Sequence, residues 1–119
     1  GLRIGLATAT PEARARKYLR MVGAEAAFDA VACAEMVAHG KPAPDVYLLA
    51  ARKLELPPCV LLGVEDSPSG VQSAHAAGMT VAMVPDQDQP SAEIAALCAL
   101  VAPSLAGIAP FVKESLRRP

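Results

Sequence analysis

Apolar residues along the chain fall into two kinds of pattern. Short continuous runs at residues 2–7, 28–33, 60–64, 80–84 and 100–102 each predict a β-strand. Between them, over residues 11–22, 45–54 and 91–97, apolar positions recur at helical spacing. A further helix is predicted where Asp66-Ser67-Pro68 opens a segment that Gly78 ends. Runs that are continuous rather than alternating mark strands covered on both faces, as in a parallel sheet. The order of elements therefore predicts an α/β, Rossmann-like fold: a parallel sheet with helices on both faces, in one domain over residues 1–119.

Punctuation residues sharpen the boundaries. Thr10 reads as the N-cap of the first helix, Pro11 as its first residue and Gly23 as its stop. Residues 85–90 read as a polar loop, and residues 104–118 as helical turns interrupted at Pro110.

Composition narrows the function classes. Apolar residues make up 53% of the 119 residues and charged residues 19%, a balance that fits a packed core and not a disordered chain. The net charge of −1 excludes the broad basic surface that nucleic acid requires. Arg14, Arg16, Lys17 and Arg20 form the densest basic stretch, and their spacing fits a solvated helix face. No apolar run approaches the roughly 18 residues of a membrane span, so no membrane partner is expected. Cys33, Cys59 and Cys98 are odd in number and far apart, which fits reduced thiols and a cytoplasmic location better than a disulfide framework or a zinc site.

The residues with chemical capacity sit at predicted strand ends, where open α/β sheets bind their ligands. Thr8 and Thr10 follow the first strand, beside the N–H groups that open a helix, an arrangement suited to phosphate. Taken alone, Thr10 is equally well explained as a cap. Lys41 lies in His39-Gly40-Lys41-Pro42-Ala43-Pro44-Asp45, where flanking prolines restrict the backbone and so the reach of the ammonium. Taken alone, a Lys-Pro pair is also an ordinary loop feature. Glu65 and Asp66 follow a buried strand and precede a helix, and their hard oxygens suit Mg²⁺. A cap needs one residue and not an acid pair. His39 and His75 have no base or metal partner near them in sequence and read as surface residues.

A hydroxyl, a lysine and an acid pair, in this order and each at a strand end, resemble the second, third and fourth motifs of the haloacid-dehalogenase (HAD) superfamily. The matching segments are Gly-Leu-Ala-Thr8-Ala-Thr, Gly-Lys41-Pro-Ala-Pro-Asp and Gly-Val-Glu65-Asp66-Ser-Pro-Ser-Gly. Their wording is similar to the branch that holds β-phosphoglucomutase-like proteins and small-molecule phosphatases. The resemblance implies that Thr8 binds the transferring phosphoryl group and that Lys41 balances its charge. It implies that Asp66 binds Mg²⁺, with Glu65 binding too or holding a metal-bound water, and that Thr10 contacts substrate more weakly. The expected partner is a small phosphorylated metabolite.

Two departures from the family pattern shape the expectation. The first motif, Asp-x-Asp on a central strand, supplies the nucleophile, and no such motif occurs near the start of this chain. Asp86-Gln87-Asp88 has the letters but lies in the polar loop, after the fourth motif, and reads as solvated. The helical cap that selects substrate is absent as well. The chain is therefore expected to be the C-terminal part of a HAD core that lacks its central strand and cap. A preceding segment or another chain is expected to complete the sheet, because two bare inner edges invite misassembly.

The leading expectation is hydrolysis of a small phosphorylated metabolite through an aspartyl-phosphate whose nucleophile lies outside this chain. A sugar-phosphate mutase is the neighbouring alternative. Pro11, where a mutase would place a basic or amide residue, favours a phosphatase. The acid pair disfavours a dehalogenase, which needs no metal. From another class, the chain alone is an inert fragment that only binds Mg²⁺ and phosphate.

Overall fold

A computed structural model of the chain describes residues 2–86 and 88–110. The strands form where predicted but are shorter than the apolar runs. They are β1 (Gly5–Thr8), β2 (Ala30–Cys33), β3 (Leu62–Glu65), β4 (Thr80–Met83) and β5 (Leu100–Val101). Two starts move for identifiable reasons. Ile4 is bonded to Asp29 through both its N–H, to the side chain (2.7 Å), and its C=O, from the Asp29 N–H (2.6 Å), so β1 begins only at Gly5. Val60, expected in a strand, lies in the 3₁₀ turn Pro58–Val60. Its N–H bonds back to Pro57 and that of Leu61 to Pro58, which removes both donors from any ladder.

The helices are α1 (Glu12–Met21), α2 (Asp45–Leu54), α3 (Pro68–Ala76) and α4 (Ala92–Ala95). α2 has the predicted bounds. It ends with Glu55 in the left-handed conformation (φ 59°), a place where glycine is commoner. Ser67 caps α3 by accepting the Gly70 N–H at 3.2 Å, and Ser91 caps α4 in the same way from Ile94. Gly23 and Gly78, the predicted stops of α1 and α3, have φ of 71° and 91°, which a side chain would strain. Thr10 is not the N-cap of α1. Pro11 holds that position without a side-chain bond, and the Glu12 N–H is taken instead by the Glu35 carboxylate at 2.7 Å. Residues 108–110 are helical, with Pro110 the last of them; the rest of that predicted segment, residues 111–119, lies outside the described residues.

All pairing is parallel, in two sheets and not one. β1 pairs with β2, from Gly5 opposite Ala30 to Thr8 opposite Cys33. β4 pairs with β3 on one side and β5 on the other. β1 and β3 make no ladder with each other among the described residues. A cavity of about 920 Å³ is lined by both, through Leu6 and Ala7 on one side and Leu62, Gly63 and Val64 on the other, with Leu54 of α2 also lining it. The edges beside it are incompletely covered: no residue of β1 is buried and Val64 is 40% exposed, whereas β2 is buried along its whole length.

What joins the two sheets is one apolar core. α2 packs on β1 and β2, α3 packs on β3 and β4, and the two helices touch. Ala32, Val46, Tyr47, Val71, Val81 and Met83 belong to a single buried cluster that draws on both sides. Val46, Val71, Val81 and Met83 are each at most 1% exposed, and burial of such a side chain stabilises by about 1.5–3 kcal/mol. Among the described residues no helix is long and apolar enough to cross a membrane.

Candidate active site

The C-terminal ends of β1 and β3 are linked by a side chain that belongs to neither. Lys41 sits on the loop before α2, after an exposed His39-Gly40 and before a cis peptide bond to Pro42. Its Nζ donates to the Ala7 carbonyl of β1 at 3.2 Å and to Glu65 Oε2 of β3 at 2.6 Å. The ion pair is well sheltered, with the Lys41 side chain 19% exposed and that of Glu65 6%. In such a setting each charge depends on the other, because an unpaired buried ion is costly.

Glu65 holds its position through further neighbours. The Tyr47 hydroxyl, from α2, donates to the same Oε2. The Lys41 Nζ also lies 5.3 Å from the centre of the Tyr47 ring, within reach of a cation–π attraction. Burial, and then the nearby Glu65 and Asp66 carboxylates, push the Tyr47 phenol well above its ordinary value, so it stays protonated and donating. On the other side the carboxylate lies against the first turn of α3. A Cβ at Gly70 would overlap Oε1 and Cδ of Glu65, so only glycine leaves room for it. The loop of Lys41 is fastened in turn by Ser73, fully buried on α3, whose hydroxyl donates to the Ala43 carbonyl at 2.6 Å.

The expected residues are not all equivalent. Asp66 is exposed, beyond the end of β3, and makes no hydrogen bond or ion pair among the described residues. Thr8 is half-buried at the last position of β1, next to the Ala7 carbonyl that Lys41 grips. Its Oγ1 accepts the Thr10 N–H at 3.1 Å, which leaves the hydroxyl proton available to donate. Thr10 is thus tied to Thr8 through its backbone. At the N-terminus of α1, the Glu12 N–H that was expected to be open to an anion is already used by Glu35.

The other candidates stay at the surface. His39 is exposed and pairs with Asp45, with Nδ1 3.4 Å from Oδ2; His75 is exposed on α3. Arg16 and Arg20 pair with Glu12 and Glu25, and Arg14 and Lys17 are exposed, as a solvated face requires. Asp86 and Asp88 are exposed, while Gln87 between them lies outside the described residues. Tyr47, Ser73, Glu35 and the steric role of Gly70 were not anticipated. Tyr47 and Ser73 carry no local signal, because their partners lie 18 and 30 residues away. Gly70 did have one: a glycine in the first turn of a helix is a costly choice that asks for a reason.

Known proteins resemble this chain in sequence and in fold. The profile of the haloacid dehalogenase-like hydrolases matches residues 1–78. Protein CbbY of Rhodobacter capsulatus is 41% identical over 90 residues, covering 73% of this chain and 40% of that protein. Hexitol phosphatase B of Escherichia coli is 41% identical over 85 residues, covering 71% and 38%. The crystal structure of CbbY from Rhodobacter sphaeroides in complex with phosphate superposes with a TM-score of 0.81 at 32% identity, covering 91% of this chain and 49% of that one. The chain thus spans about two fifths of the length of those curated relatives and about half of that structure. The parallel strands, the helices that cover them and the matched residues agree: the chain belongs to the haloacid dehalogenase-like hydrolases.

Proposed function

We propose that this chain is one domain-sized part of an enzyme that hydrolyses a small phosphorylated metabolite with Mg²⁺, and that it supplies the phosphoryl-binding and charge-balancing groups. The observation that carries this reading is the double grip of Lys41. One ammonium is bonded to the residue before Thr8 and to the residue before Asp66, which draws the hydroxyl, the cation and the acids to one place. Hydrolysis is preferred over transfer between sugars because Hexitol phosphatase B is named a phosphatase and because Pro11 follows Thr10.

Each residue then has a physical task. Thr8 would donate its free hydroxyl proton to a phosphoryl oxygen. Lys41 would offset the charge that gathers on the transferring group, the main source of catalysis in such reactions. Adjacent carboxylates at a strand end fit Mg²⁺, which takes one or two of them together with waters and substrate phosphate. Asp66, unpaired among the described residues, would hold the ion, with Glu65 beside it. When bound, Mg²⁺ supplies positive charge opposite Lys41. Among the described residues no group of three or more His, Cys, Asp or Glu gathers into a metal site, so the remaining ligands would come from elsewhere.

The nucleophilic carboxylate of an aspartyl-phosphate route would be delivered by a further parallel strand. The facing edges of β1 and β3 and the cavity between them are suited to it. Amide exchange is the measurement: without that strand β1 and β3 should exchange faster than β2 and β4, and equal protection of all four would count against it.

Hydrolysis of an aryl phosphate by the complete enzyme tests the reading as a whole. Turnover should require Mg²⁺ and fall about 100-fold or more in Lys41→Ala and in Asp66→Ala. Full activity in either variant would remove that residue from the site.

A further inference from the structure

We propose that Tyr47 is a positioning residue for the phosphoryl-binding ammonium, fixing through its hydroxyl and its ring where the Lys41–Glu65 pair sits. The proposal rests on the reading of Lys41 as a phosphate-binding group.

Tyr47 comes from the first turn of the site's supporting helix and not from a strand end. It is 7% exposed and belongs to the core that joins the two sheets. Core packing accounts for its ring. It does not account for a hydroxyl aimed at the ion pair that bridges the sheets, since phenylalanine would fill the same space.

One carboxylate oxygen, Glu65 Oε2, receives both the phenol and the ammonium. Rotation of that carboxylate would strand a buried hydroxyl and a sheltered charge together, so it is held in place. The ring meanwhile faces the ammonium itself at 5.3 Å. Tyr47 thus touches both members of the pair.

The shared oxygen has a consequence for ligand binding. A phosphoryl group that draws Lys41 toward itself weakens the Lys41–Glu65 bond. Glu65 then keeps the Tyr47 hydrogen bond and is not left as a buried, unpaired anion. The phenol lowers the cost of turning the ammonium toward its ligand. Without it, Glu65 competes with phosphate for Lys41.

The test is a double-mutant cycle read by calorimetric titration of the complete enzyme with inorganic phosphate. Tyr47→Phe should weaken phosphate binding about five- to tenfold when Lys41 is present and less than about twofold in Lys41→Met. Equal weakening in both backgrounds would mean general support of the fold and would overturn the proposal. So would no weakening, or a wild-type protein that binds no phosphate. A wild-type protein that binds phosphate but hydrolyses no phosphomonoester overturns the proposed activity, and the cycle still decides the role of Tyr47. A second measurement needs no variant. The Tyr47 hydroxyl proton, sheltered by its bond to Glu65, should give a slowly exchanging NMR signal that moves when phosphate is added. A signal lost to exchange, or unmoved by phosphate, overturns the proposal.

Discussion

Ser73 Oγ lies 2.6 Å from the carbonyl oxygen of Ala43, so the helix that follows the acid pair is bonded to the loop that carries Lys41. Ser73 is fully buried, and its removal leaves that carbonyl without this donor. Ser73→Ala should destabilise by about 1–3 kcal/mol. It should also let Lys41 drift, so kcat should fall about tenfold while KM changes less. Thermal melting and steady-state kinetics on the same sample check both parts. A loss of stability with kcat intact would reduce Ser73 to a packing role.

Gly70 sets a sharper steric limit. Alanine there must push the Glu65 carboxylate off its place against α3, because the contacts are with the carboxyl group itself. Overpacking of this kind costs about 1–3 kcal/mol. Gly70→Ala should therefore lower stability and reduce aryl phosphate turnover about 100-fold. A variant as active as wild type would show that Glu65 can sit elsewhere without consequence.

The Lys41–Glu65 pair should be strongly non-additive. Lys41→Met leaves a 6% exposed carboxylate without its cation, at a cost of about 3 kcal/mol, the low end for a buried pair because Lys41 retains some solvent. Glu65→Gln alone strands the ammonium. The double variant removes both charges and should be more stable than the sum of the singles implies, by about 1–3 kcal/mol in denaturant titrations. Simple additivity would mean that the 2.6 Å contact carries little energy.

The three thiols should react in a fixed order. Cys59 is exposed, Cys98 half-buried and Cys33 fully buried, and burial pushes the thiols of Cys33 and Cys98 up, away from the reactive thiolate. Iodoacetamide followed by mass spectrometry should label Cys59 first, Cys98 slowly and Cys33 only after unfolding. Early labelling of Cys33 would mean that β2 opens readily.

Much of the fold was legible because it is written in local signals. α2 has its predicted ends, since Pro44 and the apolar spacing after Asp45 admit few alternatives. Gly23 and Gly78 stop their helices through positive φ, which glycine adopts more readily than other residues. Strand starts were less legible. Apolar character continues past the point where Ile4 and Val60 give their hydrogen bonds to other partners. The cap of α1 was misread because the group that serves it, Glu35, lies 23 residues away.

The site divides along the same line. Thr8, Glu65 and Asp66 could be picked out because they stand at the end of apolar runs, and Lys41 because prolines follow it in a loop beyond the end of β2. Tyr47 and Ser73 could not, because helical spacing accounts for both of them as core residues. Only the folded chain brings the Tyr47 hydroxyl to Glu65 and the Ser73 hydroxyl to Ala43.

The division into two sheets bears on how the molecule assembles. β1, α1 and β2 are consecutive, as are β3, α3, β4, α4 and β5, so each sheet is built from one continuous stretch of chain. The contacts that join them are those of α2 with α3 and those converging on Glu65 from Lys41 and Tyr47, which come from the segment between the two sheets. The site is therefore whole only when both sheets are in place, because Ala7 comes from one, Glu65 from the other, and Lys41 bonds to both.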